Sequence, residues 1–171
     1  FGDLGNFQVM PGAARPVGFS HGDEYAEAGY YRVKLASGVT AELTAAPRAG
    51  MIRFTYPASP ASALTIDLAR RIGELHRAKR FGVQRFRLTA PGSFEGSIRC
   101  DHRDGGWGQG AGQVDYTLYF RGVCSKPLEG CSITGGDSNL VVRATFPTRE
   151  DEQVVLHVAF SFAGEPPAPT G

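Results

Sequence analysis

The sequence predicts an all-β fold, an antiparallel β-sandwich with one short helical segment. Three observations carry that prediction. Residues 28–57 (AGYYRVKLASGVTAELTAAPRAGMIRFTYP) hold three alternating or β-branched runs separated by turn residues, Ser37-Gly38 and Pro47. The 23 glycines and 11 prolines are spread between apolar runs, which favours many short strands over long helices. The second half of the chain repeats the same kind of short run, each closed by turn residues.

Taken in order, residues 1–18 (FGDLGNFQVMPGAARPVG) have no clear period and read as an ordered loop or an edge-hugging segment. Residues 19–28 (FSHGDEYAEA) are polar and acidic and lead into the meander. Tyr31, Val33 and Leu35 alternate with Tyr30, Arg32 and Lys34, which gives the first strand one apolar face. Residues 39–44 and 51–56 supply the next two strands, and 63–68 (ALTIDL) a fourth. Such a meander needs a second sheet or helices over its apolar face.

Residues 67–80 (DLARRIGELHRAKR) form the one helical candidate, with Leu68, Ile72 and Leu75 on one face and Asp67 as the N-cap. Between Arg70 and Arg87 basic residues outnumber the single acid, Glu74, which suits a solvated or partner-facing surface. Aromatic stacking platforms for nucleic acid are lacking there. Strands follow at 84–89, 94–100, 114–123, 140–146 and 154–162, about nine in all, the number of a sandwich. In the last of them Val154, Leu156, Val158, Phe160 and Phe162 share an apolar face. Residues 1–163 read as one sandwich domain and 164–171 (GEPPAPTG) as a proline-rich linker or tail.

Bulk numbers narrow the function classes. A chain of 171 residues is long enough for a sizeable core without staples. A net charge of +1 gives no global field towards nucleic acid or an anionic membrane. No apolar run approaches the roughly 20 residues of a membrane helix. The chain begins with Phe1 rather than Met, which reads as a mature or excised piece. Cys124 and Cys131 bracket a short loop (CSKPLEGC) that a disulfide closes if the geometry allows; free buried thiols are the alternative.

The candidate chemistry is sparse. Asp23 and Glu24 are the obvious carboxylates, but neighbours on an extended segment point to opposite faces, so they are poorly placed as an acid/base pair. With Asn6 and His21 they either line a sugar pocket or stand as solvated loop residues. Trp107, held in a glycine-rich run, stacks on the apolar face of a sugar or packs into the core or a neighbouring domain. Cys100, Asp101, His102 and Asp104 lack the second ligand pair of a zinc site, and no residue here is assigned to a metal. The glycine-rich run at 105–110 lacks the strand-to-helix setting of a phosphate loop. His157 on its strand reads as structural, and no Gly-x-Ser-x-Gly marks a nucleophile.

The segments 19–35 (FSHGDEYAEAGYYRVKL) and 41–57 (AELTAAPRAGMIRFTYP) resemble the N-terminal β-sandwich domain of glycoside hydrolase family 92, the calcium-dependent exo-acting α-mannosidases. Asn6 and the run from Pro11 to Gly18 are similar to that family's Gly-Asn-Thr-Phe-Pro-Gly-Ala…Pro-Phe-Gly opening. Residues 116–127 (YTLYFRGVCSKP) and 154–162 sit where the family has further sandwich strands. Gln8-Val9-Met10 replaces the usual Thr-Phe, and Ala28 the usual proline. Val17-Gly18 runs straight into Phe19-Ser20-His21, where family members carry several tens of residues.

The resemblance implies the N-terminal domain of an α-mannosidase acting on α-linked mannosides of glycans. In that family a C-terminal (α/α)₆ barrel supplies the catalytic carboxylates and most calcium ligands, so no catalytic residue is assigned here. The implied cofactor is calcium, the partners are an α-mannoside carbohydrate and the catalytic domain of the same polypeptide, and the setting is secreted or extracytoplasmic. From other classes, a non-catalytic carbohydrate-binding or adhesive sandwich module is the alternative. A structural protein polymerising through its edge strands is a third.

Overall fold

The computed structural model describes residues 8–13, 15, 17–70, 82–100, 114–128 and 130–164. Twelve strands are found among them: β1 (Gln8–Pro11), β2 (Phe19–Glu27), β3 (Tyr30–Leu35), β4 (Thr40–Ala46), β5 (Ala49–Tyr56) and β6 (Ser59–Asp67) in the first half. The second half adds β7 (Gln84–Ala90), β8 (Ser93–Cys100), β9 (Tyr116–Cys124), β10 (Ser132–Thr134), β11 (Val141–Thr148) and β12 (Glu152–Ser161). They form a four-stranded sheet in the order β1-β6-β11-β10 and an eight-stranded sheet in the order β2-β3-β4-β5-β12-β9-β8-β7. Neighbouring strands run antiparallel throughout. The expected all-β sandwich is the observed fold.

Alternation of burial explains the layering. In β11 Val142, Ala144, Phe146 and Thr148 are buried while Arg143, Thr145 and Pro147 are exposed. In β12 Val154, Leu156 and Val158 turn inward. Both apolar rows meet Phe54, Tyr56, Leu64, Ile66, Phe94, Ile98 and Phe120 in one core. Each such side chain contributes roughly 1.5–3 kcal/mol by leaving water. The polar groups inside are satisfied: the Tyr56 hydroxyl donates to the Ala63 carbonyl at 2.9 Å, and the Ser62 and Thr148 hydroxyls meet at 2.7 Å. Gln84, 2% exposed, donates from its amide to the Ser138 carbonyl and accepts from the Leu140 N–H. That side chain ties the β7 edge of the large sheet to the loop entering β11 of the small one.

The structure corrects several expectations. Three strands are additional to the nine: β1, β2 and β10. Of the two readings of the N-terminal segment, the edge-hugging one holds for β1, which pairs with β6 at the edge of the small sheet, and β2, expected as a polar lead-in, is the edge strand of the large sheet. No helix occurs among the described residues. Asp67 ends β6, and residues 68–69 make a bend. Asp67 Oδ1 accepts from the N–H groups of Ala69 and Arg70 at 2.9 and 3.0 Å, an N-cap-like arrangement; the rest of the expected helix, 71–80, lies outside the described residues. Cys124 and Cys131 are thiols with no bond across the 124–131 loop, the alternative left open beside a disulfide. Burial pushes the Cys124 and Cys131 thiols up.

Candidate functional site

The chemistry foreseen for residues 19–24 falls on β2, and the register there decides its geometry. Phe19 pairs with Leu35 and Glu24 with Val33, so five residue steps along β2 match two along β3. The excess bulges Ser20, His21, Gly22 and Asp23 out of the ladder. Bulges re-aim side chains away from the sheet's regular alternation. His21 is accordingly 95% exposed at its side chain, and Asp23 is exposed with no hydrogen bond to it among the described residues.

Glu24 returns to the ladder and is the hub. Its Oε1 accepts from the Tyr31 hydroxyl at 2.5 Å, and its Oε2 lies 2.5 Å from His21 Nδ1. A carboxylate only accepts, so in the neutral ring Nδ1 carries the proton and Nε2 keeps a free lone pair. The Tyr31 hydroxyl first, and His21 second, hold the Glu24 carboxyl below the usual carboxylate range. Glu24 in turn pushes the Tyr31 phenol up. A carboxyl held ionised is a poor general acid, which must arrive protonated. What the arrangement does offer is an imidazole, oriented from behind, presenting Nε2 to a hydroxyl-bearing ligand.

Around it stands an aromatic edge. Phe19, 49% exposed, meets the His21 ring edge-on at 5.9 Å. Tyr25, also exposed, donates to Glu27 at 2.9 Å and lies under the Arg32 guanidinium at 5.7 Å. One strand further in, Glu42 accepts two hydrogen bonds from Arg53, at 2.7 and 2.6 Å, and one from the Tyr30 hydroxyl at 2.7 Å. The Arg53 fork, with Tyr30 adding to it, lowers the Glu42 carboxyl to about 2. This second cluster ties β3, which carries Tyr31, to β4 and β5.

Of the five residues singled out from the sequence, the structure brings His21 and Glu24 together and leaves Asp23 apart. Asn6 and Trp107 lie outside the described residues. Tyr31 was read only as a strand position, yet its hydroxyl is half of what holds Glu24. The signal was the β2–β3 turn, which folds 24 back onto 31. For calcium, six to eight converging oxygens are needed. Both Glu24 oxygens are engaged, and the described residues contain no group of three or more His, Cys, Asp or Glu able to hold a metal ion. The described residues alone do not fit that ion.

Together these features define an antiparallel β-sandwich domain whose polar chemistry sits on a bulged, aromatic edge. The chain matches the family model described as the glycosyl hydrolase family 92 N-terminal domain over residues 1–161, and so belongs to that family. Its fold is similar to a family GH92 alpha-mannosidase, BT3965 from Bacteroides thetaiotaomicron, with a TM-score of 0.76 at 24% identity, covering 95% of this chain and 24% of that one. The complex of BT3965 with mannoimidazole gives 0.75 at 25% identity and the same coverage, 95% and 24%. The family GH92 inverting mannosidase BT2199 from Bacteroides thetaiotaomicron VPI-5482 gives 0.67 at 19%, covering 92% and 22%. This chain thus spans about a quarter of the length of the structures it resembles. No curated protein matches it.

Proposed function

We propose that this chain serves as the N-terminal domain of an α-mannosidase that acts on α-linked mannosides of glycans. The observation that carries the reading is the family match over residues 1–161, joined to a fold similar to about a quarter of the length of GH92 mannosidase chains. In this proposal the sandwich packs on a catalytic (α/α)₆ barrel and completes its pocket. The bulged edge of β2 is its contribution, with His21 offering Nε2 to a sugar hydroxyl and Phe19 an apolar ring face. The catalytic carboxylates and most calcium ligands belong to the barrel in this reading, and Glu24, engaged on both oxygens, is not one of the catalytic pair. Glycan substrates place the enzyme in a secreted or extracytoplasmic setting.

Two assays on an α-mannoside test this. The isolated domain is expected to give no turnover; measurable hydrolysis by it overturns the division of labour. In the protein extended by its catalytic portion, His21→Ala is expected to lower kcat/KM by about 10- to 100-fold, the range for a lost positioning contact. An unchanged kcat/KM removes this edge from the pocket.

A further inference from the structure

The far side of the same sheet carries a feature that the mannosidase reading does not use. On the outward faces of β7, β8 and β9 three cross-strand rows lie side by side. Arg87 stands opposite Glu95, and Glu95 opposite Arg121. In the next row Arg85 faces Ser97 and Ser97 faces Tyr119; beyond it Arg99 faces Thr117. Successive rows are about 7 Å apart, two residues along a strand. Together they floor an open groove of about 730 Å³, beside the exposed Val83.

The groove is built rather than incidental. Glu95 is only 6% exposed although it lies on the outer face, because Arg87 and Arg121 close over it, the latter at 3.0 Å. One carboxylate therefore fixes two guanidiniums, leaving a surplus positive charge. Arg85 has no acidic partner among the described residues, and Arg99 touches Asp115 only loosely, at 3.8 Å. Among the described residues, four arginines and two carboxylates meet here, in a chain whose net charge is only +1. Guanidinium forks match carboxylates, sulfates and phosphates in two-pronged geometry. The hydroxyls of Ser97, Thr117 and Tyr119 between them suit a hydroxyl-rich ligand, and the Tyr119 ring suits the C–H face of a pyranose.

We infer that this groove binds an anionic oligosaccharide, at a site separate from the β2 edge. The choice of a saccharide over an acidic peptide rests on membership of a glycoside hydrolase family; the choice of an anion rests on the groove alone. Such binding adds a hold on charged polysaccharide to whatever the β2 edge does.

Calorimetric titration of the chain checks it with four probes of similar length: an oligogalacturonate, a sulfated heparin-derived oligosaccharide, a neutral α-mannan oligosaccharide and polyglutamate. Binding of the carboxylated or the sulfated sugar is expected, and which of them binds tells the anion's chemistry. Affinity should fall as salt rises. Arg85→Gln with Arg99→Gln, both on exposed side chains, should weaken binding by about tenfold or more, and the paired Arg→Lys changes by less, since lysine keeps charge but loses the fork. Thermal melting of each variant separates lost binding from lost folding. The inference is overturned if neither anionic sugar binds at low salt, if polyglutamate or the neutral sugar binds as tightly, or if the double change to glutamine leaves affinity intact. Binding here is independent of hydrolysis, so a failure of the mannosidase reading leaves this result standing, and the reverse.

Discussion

At the β2 edge Glu24 is held by Tyr31 and His21 in a strand whose other residues are all exposed, whereas near the opposite edge Glu95 lies 6% exposed beneath two guanidiniums. Both carboxylates stand on one eight-stranded sheet. The first sits where a bulge has loosened the ladder, and its partners orient a ring towards solvent. The second sits in unbroken register on β8 and β9, and its partners are drawn flat over it. The contrast teaches how differently one sheet can hold two carboxylates. Here the broken ladder turns the His21 partner of Glu24 outward, and the intact one lets two arginines close over Glu95. Substitutions break or sharpen the contrast.

The largest effect is expected on the intact side. A Cβ at Gly96 would run into the Phe120 ring and the Arg85 carbonyl, the latter being backbone that cannot swing away. Gly96→Ala should therefore destabilise the fold by about 3 kcal/mol, read as a lower denaturation midpoint. Next comes Glu42→Gln, which removes the ionic partner of Arg53 and should remove about 1–2 kcal/mol at neutral pH. The sign with pH follows. Glu42 titrates at about 2 when folded and near 4.5 when unfolded, so its stabilisation is full above about 4.5 and disappears as pH falls through about 2. Denaturation curves of the parent and of Glu42→Gln should converge over that window.

Smaller effects belong to the bulged side. Glu24→Gln should let the Tyr31 phenol ionise at lower pH, seen as an earlier rise in phenolate absorbance on alkaline titration, because the carboxylate that raises it is gone. Glu42→Gln should do the same for Tyr30, which gives the control within the same spectrum. Gly22→Ala is expected to leave stability within about 0.5 kcal/mol, since the nearest atom to a new Cβ is Ser20 Oγ at 3.7 Å. A loss as large as that at Gly96 would mean the bulge is as tightly built as β8.

The same contrast governs how much could be read from the sequence. Strands β3, β5, β11 and β12 alternate between core and solvent, so their periodicity stood out. β2 has no buried face, and its Ser-His-Gly-Asp run carries no period of two, so it passed for a loop. β10, three exposed residues, leaves no pattern at all. His21 and Glu24 were legible as residue types; the Glu24–Tyr31 contact follows from the regular β2–β3 hairpin, but the approach of His21 to Glu24 depends on a register shift that spacing does not encode. The arginines were legible only as scattered charge on β7, β8 and β9. Their gathering around Glu95 required knowing that β8 pairs with both β7 and β9, in a register placing 87, 95 and 121 in line.

One topological detail bears on how the domain is made. β2 to β5 and β7 to β9 each form from neighbours in the chain, but β12 lies between β5 and β9 and is bonded to both. The two meanders are thus halves of a sheet that a later strand must stitch together. Loop closure between them has to precede most of the reward, which is the signature of slow, non-local folding. Until residues 152–161 arrive, β5 and β9 each expose an unpaired edge, and a growing chain stalled before Glu152 is an aggregation hazard rather than a half-finished domain.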